Sequence, residues 1–180
     1  MQRLDYRIAR SSDFDAIHRL NYQTFVDEIP QHSRNEERRL VDRFHDENTY
    51  VVCAEADRVV GMVCGRSTRP FSLDQKLPDL DQWLPRHRKA VEIRLLAIVR
   101  EHRKTSVFVK LMRRLAEHCL GMGCDLAVVS GTVRELRLYR HLGFEPFAQR
   151  VGSAEASYQP MFLTLEAFER SAVAVRNSAA

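Results

Sequence analysis

Two stretches of this sequence place residues capable of chemistry at useful spacing. One is Leu138-Tyr139-Arg140-His141-Leu142-Gly143-Phe144, which follows the apolar run Asp125–Ser130. A tyrosine on a short helix beside a sheet opening can give its phenolic proton to a leaving group. The same residue can equally be a packing tyrosine with its hydroxyl at the surface. The other is Arg100-Glu101-His102-Arg103-Lys104-Thr105-Ser106, a basic loop between an apolar run and a helical pattern. A helix N-terminus exposes about four backbone N–H groups and a partial positive charge, which suits phosphate. Arg100, His102, Arg103 and Lys104 would add formal charge there, or would simply form a solvated basic turn.

These stretches need elements to hold them. Leu4–Ala9 alternates as a strand, and Ser11 and Ser12 offer a cap to a helix carrying Phe14, Ile17, Leu20 and Phe25, stopped by Pro30. Asn35 predicts a second helix, with Glu36 and Glu37 in its first turn and Leu40, Val41 and Phe44 buried. The valine-rich runs Thr49–Ala54 and Arg58–Cys64, joined by Glu55-Ala56-Asp57, read as a hairpin. Residues 66–88 carry Pro70, Pro78 and Pro85 and read as a long loop, packed down through Phe71, Leu77, Leu80, Trp83 and Leu84. Ala90–Val99 predicts a central strand, and Thr105–Leu120 a helix with Val107, Phe108, Leu111, Met112, Leu115 and Cys119 on one apolar stripe. A strand over Asp125–Ser130, a short helix over Val133–Leu142 ended by Gly143, and a last strand over Tyr158–Leu165 complete the order. Hairpins combined with strand–helix–strand units imply a mixed α/β sheet with helices on both faces.

Length and composition bound the answer. The 180 residues suit one domain, taken as 1–168, with 169–180 a frayed tail. The net charge of +4 is spread along the chain, and no nucleic-acid motif accompanies it. Cys53, Cys64, Cys119 and Cys124 form no CxxC pair and read as reduced core thiols. No window reaches about 18 apolar residues, and Met1-Gln2-Arg3-Leu4-Asp5 lacks a signal-like apolar region, so the sequence predicts a soluble cytoplasmic protein that uses no membrane. His18, His32, His45 and His118 show no metal-ligand spacing and GxSxG is absent, which points away from a metal and from a covalent acyl-enzyme.

Taken together, the two stretches resemble the GNAT acyltransferase superfamily. Its signature is a strand ending Leu-Ala-Val, followed by Arg-Gly-x-Gly-x-Gly/Ala at a helix start, and Leu96-Ala97-Ile98 and Arg103–Phe108 occupy those places. Its downstream Leu-Tyr-x-x-x-Gly-Phe is matched in full by Leu138, Tyr139, Gly143 and Phe144. The resemblance runs from Tyr6 to about Phe168. It implies a mostly antiparallel central sheet of about six to seven strands, and acyl transfer from a thioester to a small-molecule amine in a ternary complex. The donor would lie between the Ala90–Val99 and Asp125–Ser130 strands. By the same resemblance, Leu96, Ala97 and Ile98 present backbone groups to pantetheine. Arg103, Lys104, Thr105, Ser106, Val107 and Phe108 hold pyrophosphate, and Tyr139 is the general acid. Glu92 stands where some members place a general base; otherwise it is a surface carboxylate paired with an arginine. Asp27 and Glu28 fall where many members build the acceptor side, or serve only solvation, and Trp83 in the long loop covers an acyl chain or merely packs.

One departure bears on the donor. Lys104, Ser106 and Phe108 stand where the signature has small residues, and glycine there allows a phosphate close to the backbone. Either the loop still binds acetyl-CoA or another acyl-CoA through its hydroxyls, the reading placed first, or the donor is an acyl carrier protein. Glu92-Ile93-Arg94-Leu95 and Tyr22–Glu28 resemble segments of acyl-homoserine-lactone and long-chain N-acyl amino acid synthases, whose donors are carrier proteins. A non-catalytic acyl-thioester binding module is the alternative from outside enzymology. A dimer is compatible with everything above.

Overall fold

The computed structural model describes residues 3–103, 105–152 and 157–171. Its elements in chain order are β1 (Leu4–Ile8), α1 (Phe14–Tyr22), β2 (Thr49–Glu55), β3 (Arg58–Arg66), β4 (Ala90–Ile98) and α2 (Val107–Gly121). They continue with β5 (Leu126–Thr132), α3 (Leu136–His141), β6 (Glu145–Pro146), β7 (Val151–Gly152), β8 (Ser157–Thr164) and α4 (Leu165–Arg170). The strands form a mixed, mostly antiparallel sheet of eight, two of them only two residues long. The chain divides into two compact units, residues 1–65 with 95–116 and residues 66–94 with 117–180.

In the first unit β1 pairs antiparallel with β2 from Leu4↔Glu55 to Ile8↔Val51, and β2 with β3 from Thr49↔Gly65 to Glu55↔Arg58. The expected hairpin is present, with Ala56 taking φ 52° in its two-residue turn. The side chains of Val51, Val52, Val60, Met62 and Val63 are fully hidden, because valine-rich strands covered on both faces read as continuous apolar runs. Gly61 explains how α2 reaches β3: a Cβ there would lie 3.1 Å from Leu111 and 3.2 Å from Val107. Asp13 fixes the start of α1, accepting from both Arg7 guanidinium nitrogens at 2.6 and 2.9 Å and from the Arg10 amide at 2.6 Å. The first helix continues past Tyr22 as a wider π-helical turn, Gln23–Glu28.

No helix forms over Asn35–Phe44, a correction to the sequence expectation. The Asn35 side chain bonds locally instead, donating to the Arg39 carbonyl at 2.9 Å and accepting from the Arg39 amide at 3.3 Å, while Arg38 takes φ 51°. Such side-chain bonds offer the backbone an alternative to the helical ladder. Val41, expected to be buried, is 52% exposed.

In the second unit β5 is the centre. It runs antiparallel to β8 from Leu126↔Thr164 to Thr132↔Tyr158, and parallel to the start of β4. β6 and β7 lie against β8 at Glu145↔Phe162 and Val151↔Tyr158. The 66–88 segment packs down as expected: Phe71, Leu73, Leu77 and Leu80 join Ala90, Leu126 and Val128 in one buried cluster. Trp83 departs from this and stands 50% exposed. Among the described residues no helix is long and apolar enough to cross a membrane, and no group of three or more His, Cys, Asp or Glu side chains is arranged to hold a metal.

Candidate active site

Strand β4 changes character along its length. It pairs with β5 only from Ala90↔Leu126 to Glu92↔Val128, while β5 continues against β8 to Thr132. Three residues after the ladder ends, Leu95 takes φ 48°, a conformation that is costly for a branched side chain and that interrupts the pleat.

Glu92 sits at the last paired position and is a buried residue, not the surface carboxylate that one reading expected. Its Oε1 accepts from the Ser72 hydroxyl at 2.6 Å and the Leu73 amide at 3.0 Å. Its Oε2 accepts from the Ser72 amide at 2.9 Å and Arg94 at 3.4 Å. A carboxylate offers about four acceptor positions, and all are used. The arrangement clamps residues 72–73 to the strand, and an incoming amine would have to displace one of these donors before Glu92 could take its proton. Ser72 was not legible as a partner, because a loop serine twenty residues away carries no spacing signal.

Tyr139 lies in the same unit, and its motif has a physical reason. Helix α3 ends where Gly143 takes φ 92°, open to glycine without strain, and the Phe144 amide then donates to the Tyr139 carbonyl at 3.0 Å. Phe144 is thereby brought edge-on to the Tyr139 ring, with centroids 5.8 Å apart at 79°. The opposite contact is Gly131 on β5: a Cβ there would fall 3.0 Å from the ring. Burial, with a smaller contribution from the Glu135 charge, pushes the phenol up to about 12. The hydroxyl is therefore protonated at neutral pH, as an acid must be.

The first unit holds the rest of the expected donor residues. Leu96 is half-buried, and Ala97 and Ile98 are buried, with the Val99 amide donating to the Val60 carbonyl at 3.0 Å. The chain then makes a tight turn over Arg100–His102 and enters α2. Thr105 braces this entry: its hydroxyl donates to the His102 carbonyl at 2.6 Å and accepts from the Val107 amide at 3.3 Å. Ser106 is exposed, Val107 is fully buried, and Phe108 is half-buried. Lys104 lies outside the described residues.

The basic residues are less free than their spacing suggested. Arg103 donates through Nε to the Ile98 carbonyl at 2.7 Å, and its terminal nitrogen meets Glu28 Oε2 at 2.6 Å. Arg100 Nε stands 3.6 Å from the other oxygen of Glu28. Asp27 points elsewhere, to Arg38 at 2.9 Å and Arg34 at 3.9 Å. Both carboxylates expected on the acceptor side thus carry arginines already. The π-helical turn widens this part of the chain and places Glu28 where an ordinary helix pattern did not foresee it.

A family model described as N-acyl amino acid synthase FeeM matches residues 16–165. Among curated proteins, none matches the sequence. The fold is close to that of FeeM, an N-acyl amino acid synthase from uncultured soil microbes, at a TM-score of 0.73 and 13% identity, covering 98% of this chain and 99% of that one. It is also close to the acyl-homoserine-lactone synthase LasI, at 0.75 and 17%, covering 92% and 91%. A third likeness is BjaI, a CoA-dependent acyl-homoserine-lactone synthase solved with SAM and isopentyl-CoA, at 0.75 and 21%, covering 91% and 81%. A structure described as an N-acetyltransferase from Lactobacillus plantarum shares the fold as well, at 0.66 and 15% identity, covering 90% and 98%.

Proposed function

The chain belongs to the N-acyl amino acid synthase FeeM family, and from that premise we propose that it acylates the α-amine of an amino acid from a phosphopantetheine thioester. The observation that carries the chemistry is Tyr139, a half-buried, protonated phenol held between Gly131 and Phe144. The amine nitrogen attacks the thioester carbonyl, the C–S bond breaks, and Tyr139 protonates the departing sulfur. The proton shed by the amine passes to water, and solvent returns one to the tyrosine, leaving an amide and a free thiol. We assign the pantetheine arm to Leu96, Ala97 and Ile98 and the phosphate to the turn from Arg103 to Phe108. Glu92 keeps its loop in place and takes no proton.

Two carriers present such an arm. We place acyl carrier protein first and acyl-CoA second, which reverses the order suggested by the sequence alone. The reason is that Arg103 and Arg100 already face Glu28, leaving less positive charge for a second phosphate. The second reading is favoured by the CoA dependence of BjaI, which shares the fold.

The test is incubation of the purified chain with acyl-CoA and acyl-carrier-protein donors of short and long chain, each with a panel of amino acids. Mass spectrometry should detect N-acyl amino acids. Absence of amide product from every donor would sink the enzymatic reading in favour of a thioester-binding module.

A further inference from the structure

We infer that Glu28 sets the donor selectivity of this enzyme by withholding Arg103 and Arg100 from a second phosphate. The inference rests on the phosphate assignment proposed above and goes beyond it by naming the residue that limits it. Glu28 ends the π-helical turn Gln23–Glu28, and its side chain is only 12% exposed. Around it stand Arg103, Arg100 and, at 3.4 Å, the Gln23 amide. Asp27 is turned to its own arginines and does not share the load.

The geometry makes this competition strong. Arg103 cannot swing away freely, because its Nε is tied to the Ile98 carbonyl at 2.7 Å. A charge-assisted contact of 2.6 Å, mostly shielded from water on the carboxylate side, is a tight one. An anion arriving at the turn must either displace Glu28 or accept its repulsion. A single phosphate can be met by backbone N–H groups at the start of α2, whereas a pyrophosphate brings a second charge that needs the arginines. Glu28 therefore penalises the CoA-type donor more than the carrier-type donor.

The experiment is titration calorimetry with three probes that differ in phosphate count: pantetheine, 4′-phosphopantetheine and 3′-dephospho-CoA. In the wild-type protein the last two should bind within about threefold of each other. In Glu28→Gln, 3′-dephospho-CoA should bind about tenfold tighter than in wild type, well ahead of any change for pantetheine. Adding Arg103→Met should abolish that gain. Glu28→Asp, one methylene shorter with the charge kept, should show a smaller gain and serves if the glutamine variant does not fold. A gain that is equal for pantetheine, or that survives Arg103→Met, overturns the inference. A wild type that binds all three probes with no change in either Glu28 variant removes Glu28 alone. A wild type that binds none of them removes the donor placement beneath it.

Discussion

In the proposed mechanism the buried Glu92 and the half-buried Tyr139 of the second unit take different parts, one holding a loop and the other giving a proton. Tyr139→Phe keeps the ring against Gly131 and Phe144 and removes only the proton, so kcat should fall by about 10²–10⁴ with little change in KM. Its raised pKa has a stability consequence of definite sign. The tyrosine's contribution is intact below its ordinary value of 10.0 and is lost as pH climbs toward about 12, so alkaline melting should begin earlier in wild type than in Tyr139→Phe. Glu92→Gln places an amide nitrogen against a backbone donor of the 72–73 segment, and it should lower stability by roughly 3 kcal/mol, read by urea unfolding. If Glu92 were instead the base, that variant would lose turnover without losing stability.

At the scale of elements, what could be read in advance depended on whether the determinants were local. The β2–β3 hairpin, the α2 stripe and the turn at Gly143 rest on residues within a few positions of one another, and each is present in the structure. Phe108 is the exception within the α2 stripe, half-buried while Val107 and Leu111 are hidden. The predicted Asn35 helix failed because one asparagine side chain can serve as a cap or close a turn, and only the packing decides. The Glu28–Arg103 pair joins residues seventy-five positions apart, so neither partner announces the other. The junction of β1 and α1 carries its own prediction. Arg7 holds the Asp13 carboxyl below its ordinary value, so that stabilisation is present above pH 3.8 and is lost as pH falls through the lower folded value. Asp13→Asn should be less stable than wild type by roughly 2 kcal/mol at neutral pH, with the gap closing in acid, as thermal melts across pH 2–7 would record.

For the molecule as a whole, the four cysteines are free and buried, as their apolar settings suggested. Burial raises Cys119 to about 12 and raises Cys53 and Cys124 as well, so these thiols are poor nucleophiles. A thiol reagent should label none of the four in the native protein and all four in denaturant, with the two reactions separated by mass spectrometry. Labelling of a native thiol without loss of structure would reopen a covalent mechanism.

The path of the chain through the two units has a consequence for synthesis on the ribosome. The first unit takes residues 1–65 and then waits for 95–116, while the second begins at 66 and is finished only by residues after 117. The first unit cannot close until residue 116 has been made, so β1–β3 wait with an unfinished edge while some thirty residues of the other unit are made. A cut between residues 66 and 94 would likewise leave each unit built from both fragments, bound to one another without a covalent link.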